Sequence, residues 1–249
     1  MIILKSEREI KAMREAGRLT ALVHQSVAKA IAPGVSTLEL DQIAEAYIHK
    51  LGGVPSFKGY LGYPASICAS LNEEVVHGIP SAQRKLQEGD IISIDIGVFY
   101  GGFHGDAART WPVGKADPEA LRLLQVTEES LRRGIAQVKA AGHLTDIGHA
   151  VQEYVESQGF SVVRDYVGHG IGTKMHEDPQ IPNFGLPGQG PQLRTGMVLA
   201  IEPMVNAGGH AVRTLADRWT VVTIDRSLSA HFENTVAVTE QGAEILTLP

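Results

Sequence analysis

The order of elements in this chain is doubled, and that doubling limits its possible folds more than any composition figure. Ser6-Glu7-Arg8-Glu9 is a capping box: the serine side chain takes the N3 amide and Glu9 reaches back. Ile10, Met13, Ala16, Val23, Val27 and Ile31 then mark one helical face as far as Pro33-Gly34. Ser36-Thr37-Leu38-Glu39 repeats the start signal, and a second helix runs to Gly52-Gly53. Strand-like and turn-like segments fill the chain to about residue 112. Asp117-Pro118 then opens a third helix, with Leu121, Leu124, Leu131, Ile135 and Val138 on its face, that stops near Gly142. A fourth runs from about Thr145 to Gly159, and the β-like runs "GMVLAIEPM", "WTVVTID" and "FENTVAVT" follow. The tripeptide His77-Gly78-Ile79 recurs as His169-Gly170-Ile171. This predicts an α+β fold over residues 1–249 as a single domain. Two pseudo-symmetric helix-helix-strand halves, about 1–112 and 113–249, share an antiparallel sheet. Helices cover one face, leaving the other to line a site.

Charge and cysteine usage exclude several functions. Lys plus Arg number 22 against 28 Asp plus Glu, a net charge of -6 with no basic run, so no nucleic-acid binding is expected. Cys68 is the one cysteine, which excludes an internal disulfide and fits a reducing compartment. The N-terminus turns charged at Lys5, too soon for a signal peptide, and no stretch approaches the ~18 apolar residues of a membrane span. A cytoplasmic protein is expected.

The sequence "IDIGVFYGGFHGDAART", 94–110, reads as a hairpin with a carboxylate in each arm. If the turn centres on Tyr100-Gly101, Asp95 and Asp106 lie opposite each other, with Cβ atoms ~5 Å apart. If it centres on Gly101-Gly102, they form a same-face diagonal still within reach of one ion. Ile92, Ile94 and Ile96 point to the other face. Two like charges this close destabilise a sheet unless a positive group intervenes. A solvated face with two unrelated acids is the plain alternative. Three further residues weigh against it: Glu202 in "VLAIEPM", Glu233 in "HFENTVAV", and His169 in the glycine-rich turn "YVGHGIG". Four carboxylates and one imidazole, without thiolate, suit Mn, Fe, Co or Zn as divalent ions rather than a structural zinc. Two such ions would neutralise the four charges; about 3.5–4 Å apart, they would share a hydroxide and polarise the carbonyl it attacks.

With their flanks, these five residues resemble the type I methionine aminopeptidases of the pita-bread (creatinase/aminopeptidase) fold. The resemblance rests on "NEEVVHGIP", "IDIGVFYGGFHGDAART", "GHGIGTKMHEDPQIPNF", "AIEPM" and "FENTVAVT", in that order, across nearly the whole chain. It implies a hydrolase, a metalloprotease that excises N-terminal methionine before a small second residue through a metal-bridging hydroxide. It makes Asp95, Asp106, His169, Glu202 and Glu233 the ligands of two metals, with Asp106 and Glu233 bridging, and Glu202 a proton acceptor. His77 would contact the scissile amide or protonate the leaving amine, and His176 would hydrogen-bond the carbonyl and oxyanion. Tyr60, Tyr63, Cys68, His77 and Trp219 would form the methionine pocket. The partners implied are nascent chains near the ribosome, and the state a monomer. Glu202 and Glu233 are only 31 positions apart, which leaves no room for the inserted subdomain of type II relatives. The catalytic fold begins almost at once, without the large N-terminal domain of prolidase-like relatives.

Val76 and Met175 depart from the family's usual cysteine and phenylalanine. Other motifs fail on inspection. "HEDPQ" has Gln180 in place of a second histidine and a proline opposing a helix, and "GHGIGTK" lacks Walker A spacing. Cys68 lies in apolar surroundings, where a free thiol is inert.

Overall fold

The computed structural model describes residues 1–249. Four helices occur in two pairs: α1 (Glu7–Ala28) with α2 (Thr37–Lys50), and α3 (Pro118–Ala136) with α4 (Leu144–Ser157). Both predicted capping boxes close, Ser6 with Glu9 and Ser36 with Glu39, and Asp117 caps α3 through the Glu119 amide. Two helices end earlier than their apolar periodicity suggests. α1 stops at Ala28 although Ile31 still packs on the core, because Pro33 disfavours helical geometry just before it. α3 stops at Ala136: Ala141 N–H donates to Leu193 O and Leu193 N–H to Gly142 O, so tertiary bonds satisfy this backbone instead.

The hairpin arms are Ile91–Tyr100 and Phe103–Pro112. Gly101 and Gly102 both adopt positive φ, 60° and 90°, as a two-residue primed turn requires. Tyr100 therefore pairs with Phe103, and Asp106 lies opposite Gly97 rather than Asp95. The diagonal arrangement is the one formed. Ile67–Leu71 pairs along the outer edge of the first arm, with Cys68 opposite Asp95. Ile92, Ile94 and Ile96 are fully buried in a core with Val23, Leu40 and Ile48 of α1 and α2.

The second half builds a five-stranded antiparallel sheet in the order Gly242–Ile245, Asn234–Thr239, Val198–Ile201, Gly168–Gly170, Glu177–Ile181. Leu199, Ile201, Val236 and Val238 bury against α3 and α4 in a separate core. The shared sheet is realised as two sheets stitched at one seam. Glu233 N–H donates to Ala108 O at 2.9 Å, and the Thr235 hydroxyl donates to Asp106 O at 2.8 Å while accepting from Asp106 N–H at 3.0 Å. The mixed helix and antiparallel-sheet architecture is the pita-bread fold. Two short three-stranded sheets flank it, one pairing Glu74–Val76 with Val221–Thr223 and the other Met204–Asn206 with Ser229–His231.

Helix α1 crosses the hairpin at backbone contact. A Cβ on Gly17 would lie 2.4 Å from Leu246 O, and one on Gly105 would lie 2.6 Å from Gly17 N. Neither neighbour is a flexible side-chain end, so the helix must back away. Gly17→Ala is expected to cost about 2–3 kcal/mol in urea unfolding despite alanine's higher helix propensity. An unchanged midpoint would show that the crossing is not tight.

Candidate metal centre

The hairpin's period of two puts Asp95 and Asp106 on the face opposite the isoleucines. Gly97 on that face lets a neighbouring segment pack closely beside the acids: a Cβ there would meet the Ser56 Cβ and the Phe57 ring at 2.7 Å. The other three residues arrive through non-local structure, and each sits differently from its sequence expectation. Glu202 is not within a strand but one residue past Val198–Ile201, where Pro203 removes a donor and Asn183 donates to Glu202 O at 3.0 Å. Glu233 immediately precedes Asn234–Thr239, on the seam bond to Ala108. His169 lies in a strand rather than a turn. Its glycine flanks serve close packing: Cβ atoms on Gly168 and Gly170 would lie 2.3 Å from Ala200 O and 2.1 Å from Asp178 O.

One ligand atom each from Asp106, His169 and Glu233 lies within 4.8 Å of the other two. Glu202 Oε1 is 3.6 Å from His169 Nε2, and Asp106 Oδ2 is 3.8 Å from the same nitrogen. Asp95 packs against the Asp106 carboxyl, which lies beside it on the hairpin face. His169 Nδ1 donates to Gly170 O at 2.9 Å, so Nε2 presents a lone pair to the acids. Burial holds this imidazole's pKa down at about 3, so it is neutral and these short distances are not ion pairs.

Electrostatically the cluster is unbalanced. Burial pushes Asp95 up to about 7 and Glu202 up to about 8. Burial and then the neighbouring carboxylates push Asp106 and Glu233 well above the usual carboxylate range. Asp95 Oδ1, Asp106 Oδ1 and Glu233 Oε1 are buried without a hydrogen-bond partner. Buried polar atoms are almost always satisfied, so three orphans on adjacent acids call for a positive ligand. The donor set fits a divalent cation: carboxylate oxygens, one neutral imidazole, no thiolate among them.

The five residues line a cavity of about 180 Å³, and Tyr60, Tyr63, Cys68, His77, His176 and Trp219 line it too. No lysine or arginine does. The Tyr63 hydroxyl lies 3.0 Å from the carbonyls of Ile67 and Gly78, and its ring meets Trp219 edge-on at 5.1 Å. His77 is held at φ 61°, a left-handed geometry unusual for a side-chain-bearing residue, with its ring edge-on to Trp219 and Tyr166. Burial lowers its pKa to about 4. His176 sits between the Tyr60 hydroxyl, 2.8 Å from Nδ1, and the His169 ring at 4.2 Å between centroids. The loop carrying His176 is anchored by a buried ion pair, Lys5 to Glu177 at 2.5 Å. Met175 and Val76 are both buried, but only Met175 reaches the cavity.

Sequence reasoning missed Phe57, Leu61 and His231. The first two line the cavity from a segment with no periodic signal. His231 Nε2 is buried without a hydrogen-bond partner, 3.5 Å from Glu202 Oε2. Its signal was available: it stands two residues before Glu233, at the alternation that selects one face of an extended chain.

Residues 11–240 match the model of metallopeptidase family M24. The chain is 60% identical over 247 residues to methionine aminopeptidase 1 of Bacillus subtilis, covering 99% of each. Its structure superposes on that of methionine aminopeptidase from Thermotoga maritima with a TM-score of 0.98 at 48% identity, covering 100% of both chains. A prolidase from Pyrococcus horikoshii shares the fold, with a TM-score of 0.80 at 22% identity, and this chain spans 64% of it.

Proposed function

The chain belongs to metallopeptidase family M24, and from that premise we propose that it is a methionine aminopeptidase, a metal-dependent hydrolase that removes methionine from the N-termini of peptides and nascent proteins. One observation carries the reading: an acid-and-imidazole cluster with orphaned oxygens shares a cavity of about 180 Å³ with the apolar walls of Phe57, Tyr63, Met175 and Trp219. That space can take a methionine side chain beside the acid cluster.

In this reading Asp95, Asp106, His169, Glu202 and Glu233 hold two divalent ions, of manganese, iron, cobalt or zinc, since two dications balance four carboxylates. Such ions supply Lewis acidity, lowering the pKa of water and polarising the scissile carbonyl. The remaining work falls to the chain's own residues. Glu202, whose carboxyl holds a proton up to about pH 8 without metal, accepts the proton of the attacking water. Tyr60 O–H donates to His176 Nδ1, which leaves Nε2–H to bond the substrate carbonyl and the oxyanion that develops from it. His77, neutral at physiological pH, contacts the scissile amide through its ring, and the proton that Glu202 has accepted is the one available to the departing amine. The methionine side chain lies against Tyr60, Tyr63, Cys68, His77 and Trp219.

Tyr60→Phe tests the His176 assignment with little packing change, because the ring stacked at 5.3 Å remains. The expected result is a fall of about three- to tenfold in kcat with the melting temperature unchanged, the cost of freeing the tautomer. An unaltered kcat would remove Tyr60 from the mechanism.

The same reading takes the chain as a single catalytic domain, with halves dividing near residue 112. Its support is that each helix pair has its own hydrophobic core. It also takes the protein as a cytoplasmic monomer acting near the ribosome; the unpaired Cys68 suits a reducing compartment, and no helix is long and apolar enough to cross a membrane. The test is Met-Gly-Met-Met against an Xaa-Pro dipeptide, with chelated protein and during Mn(II) or Co(II) titration. Release of one methionine only with metal supports the assignment. Preferential cleavage of Xaa-Pro, or no cleavage by folded, metal-loaded protein, would overturn it.

A further inference from the structure

Behind the metal centre, on the helical side of the sheets, lies a second and larger cavity of about 350 Å³. Arg109 and Trp111 form its floor; they alternate with Asp106 along the hairpin arm and so face away from the metal centre. Leu131 and Ile135 of α3 and Ala21 of α1 supply apolar walls, at the junction of the two helix pairs. This volume falls within the roughly 300–1,000 Å³ of small-molecule pockets.

No carboxylate is hydrogen-bonded to the Arg109 guanidinium. Arg109 Nη1 donates to Ala108 O at 2.7 Å and to Glu233 O, and Nη2 donates to Asn234 Oδ1 at 2.7 Å. All three acceptors are neutral groups. A guanidinium carries five N–H bonds, so Nε–H and one Nη2–H are left without a protein partner. The one acidic side chain on the cavity wall, Glu128, is already paired with Arg132 at 3.1 Å. His24, also on the wall, is held neutral by burial, and its Nε2 is spent on Ala107 O at 2.8 Å. Arg109 is therefore a part-buried cation with unfilled donors; Glu233 and Glu128 act on it through space, but neither carboxylate is hydrogen-bonded to it, and half of the cavity wall is apolar.

We infer that this cavity is a binding site for a small monocarboxylate with an apolar body, its carboxylate on the free edge of Arg109 and its body between Trp111, Leu131 and Ile135. Two carboxylate oxygens match two parallel N–H donors. A dianion such as phosphate would bring a second charge, and the other guanidinium on the wall, Arg132, is already paired with Glu128. The inference does not depend on which substrate the metal centre cleaves.

Crystals of the metal-loaded protein soaked in 4-bromobenzoate locate the ligand directly. Anomalous bromine density between Trp111, Leu131 and Ile135 is the expected result, and density confined to the metal centre or the outer surface would overturn the proposal. Calorimetry supplies the chemistry: hexanoate should bind about tenfold more tightly than hexan-1-ol, and Ala21→Leu, which fills the cavity from α1, should weaken hexanoate by about tenfold or more. Equal affinities for acid and alcohol, or unchanged binding in Ala21→Leu, would refute a carboxylate site here. Arg109→Leu should lose the preference for the acid. Because Arg109 also joins two strands, Ala21→Leu and the soak decide the matter if that variant does not fold.

Discussion

Asp106→Asn is expected to abolish methionine release, by on the order of a thousandfold or more, while raising the melting temperature of the metal-free protein. Both effects come from one carboxylate. Asp106 lies where the two sheets are stitched, its main chain bonded both ways to the Thr235 hydroxyl. Its side chain offers one of the three ligand atoms that cluster within 4.8 Å. Asparagine keeps the shape but gives up the charge that holds a dication, and activity goes with it. In the metal-free protein that same carboxyl is a burden, because burial forces it to hold a proton it would otherwise release. Burial and the adjacent Asp95 push the Asp106 pKa far up, so relieving the carboxyl stabilises the fold. The checks are peptide turnover with saturating Mn(II), metal content by elemental analysis, and thermal unfolding in chelator. A fully active variant would remove Asp106 from the ligand set. An inactive variant that melts lower in chelator would point to a structural role instead.

Metal-free protein should be most stable near pH 6.5–7 and lose on the order of 10 °C of melting temperature by pH 9. On the alkaline side the acids decide. Asp95 at about 7 and Glu202 at about 8 titrate far above their unfolded values, and Asp106 and Glu233 are also raised well above theirs. A group with a raised folded pKa binds its proton more tightly when folded. Its stabilisation is complete below the unfolded pKa near 4 and drains away as pH rises through the folded one. On the acid side the histidines decide. His24 and His169 at about 3, and His77 and His231 at about 4, are depressed by burial, so their stabilisation is present above about 6.5 and is lost as pH falls. Divalent metal replaces protons as the counter-charge, so the rise in melting temperature on adding Mn(II) should be larger at pH 8 than at pH 6. A melting temperature in chelator that is flat from pH 6 to 9 would contradict the buried, unbalanced cluster.

Much of this was legible in the chain because it is local. Capping boxes at Ser6 and Ser36 need only four consecutive residues, and both form. The hairpin arms follow from their apolar alternation, and the strict period of two puts Asp95 and Asp106 on one face whichever turn is used. The turn itself was not decided locally. Tyr100-Gly101 and Gly101-Gly102 were both acceptable centres, and the choice fell to the pair whose two residues both tolerate positive φ. Helix ends at Ala28 and Ala136 fall short of the apolar pattern for a related reason: apolar spacing continues past the point where proline or a tertiary hydrogen bond takes the backbone.

The sequence by itself determined which residues could carry the chemistry: four acids and a histidine set in apolar or glycine-rich contexts. It also determined the face that two of the acids share, since a strand's alternation is a property of its own backbone. Only the tertiary structure decided that Glu202, Glu233 and His169 meet them. That meeting rests on single long-range bonds such as Glu233 N–H to Ala108 O, and on glycines at 168 and 170 that let strands close to distances no Cβ permits. The cavity behind Arg109 is likewise a product of assembly. Its walls come from helices and strands far apart in the chain, and the unfilled donors of Arg109 appear only once Glu128 has paired with Arg132. Local propensity records what one segment prefers; a site is made where separate segments are held together, and that energy lies between them.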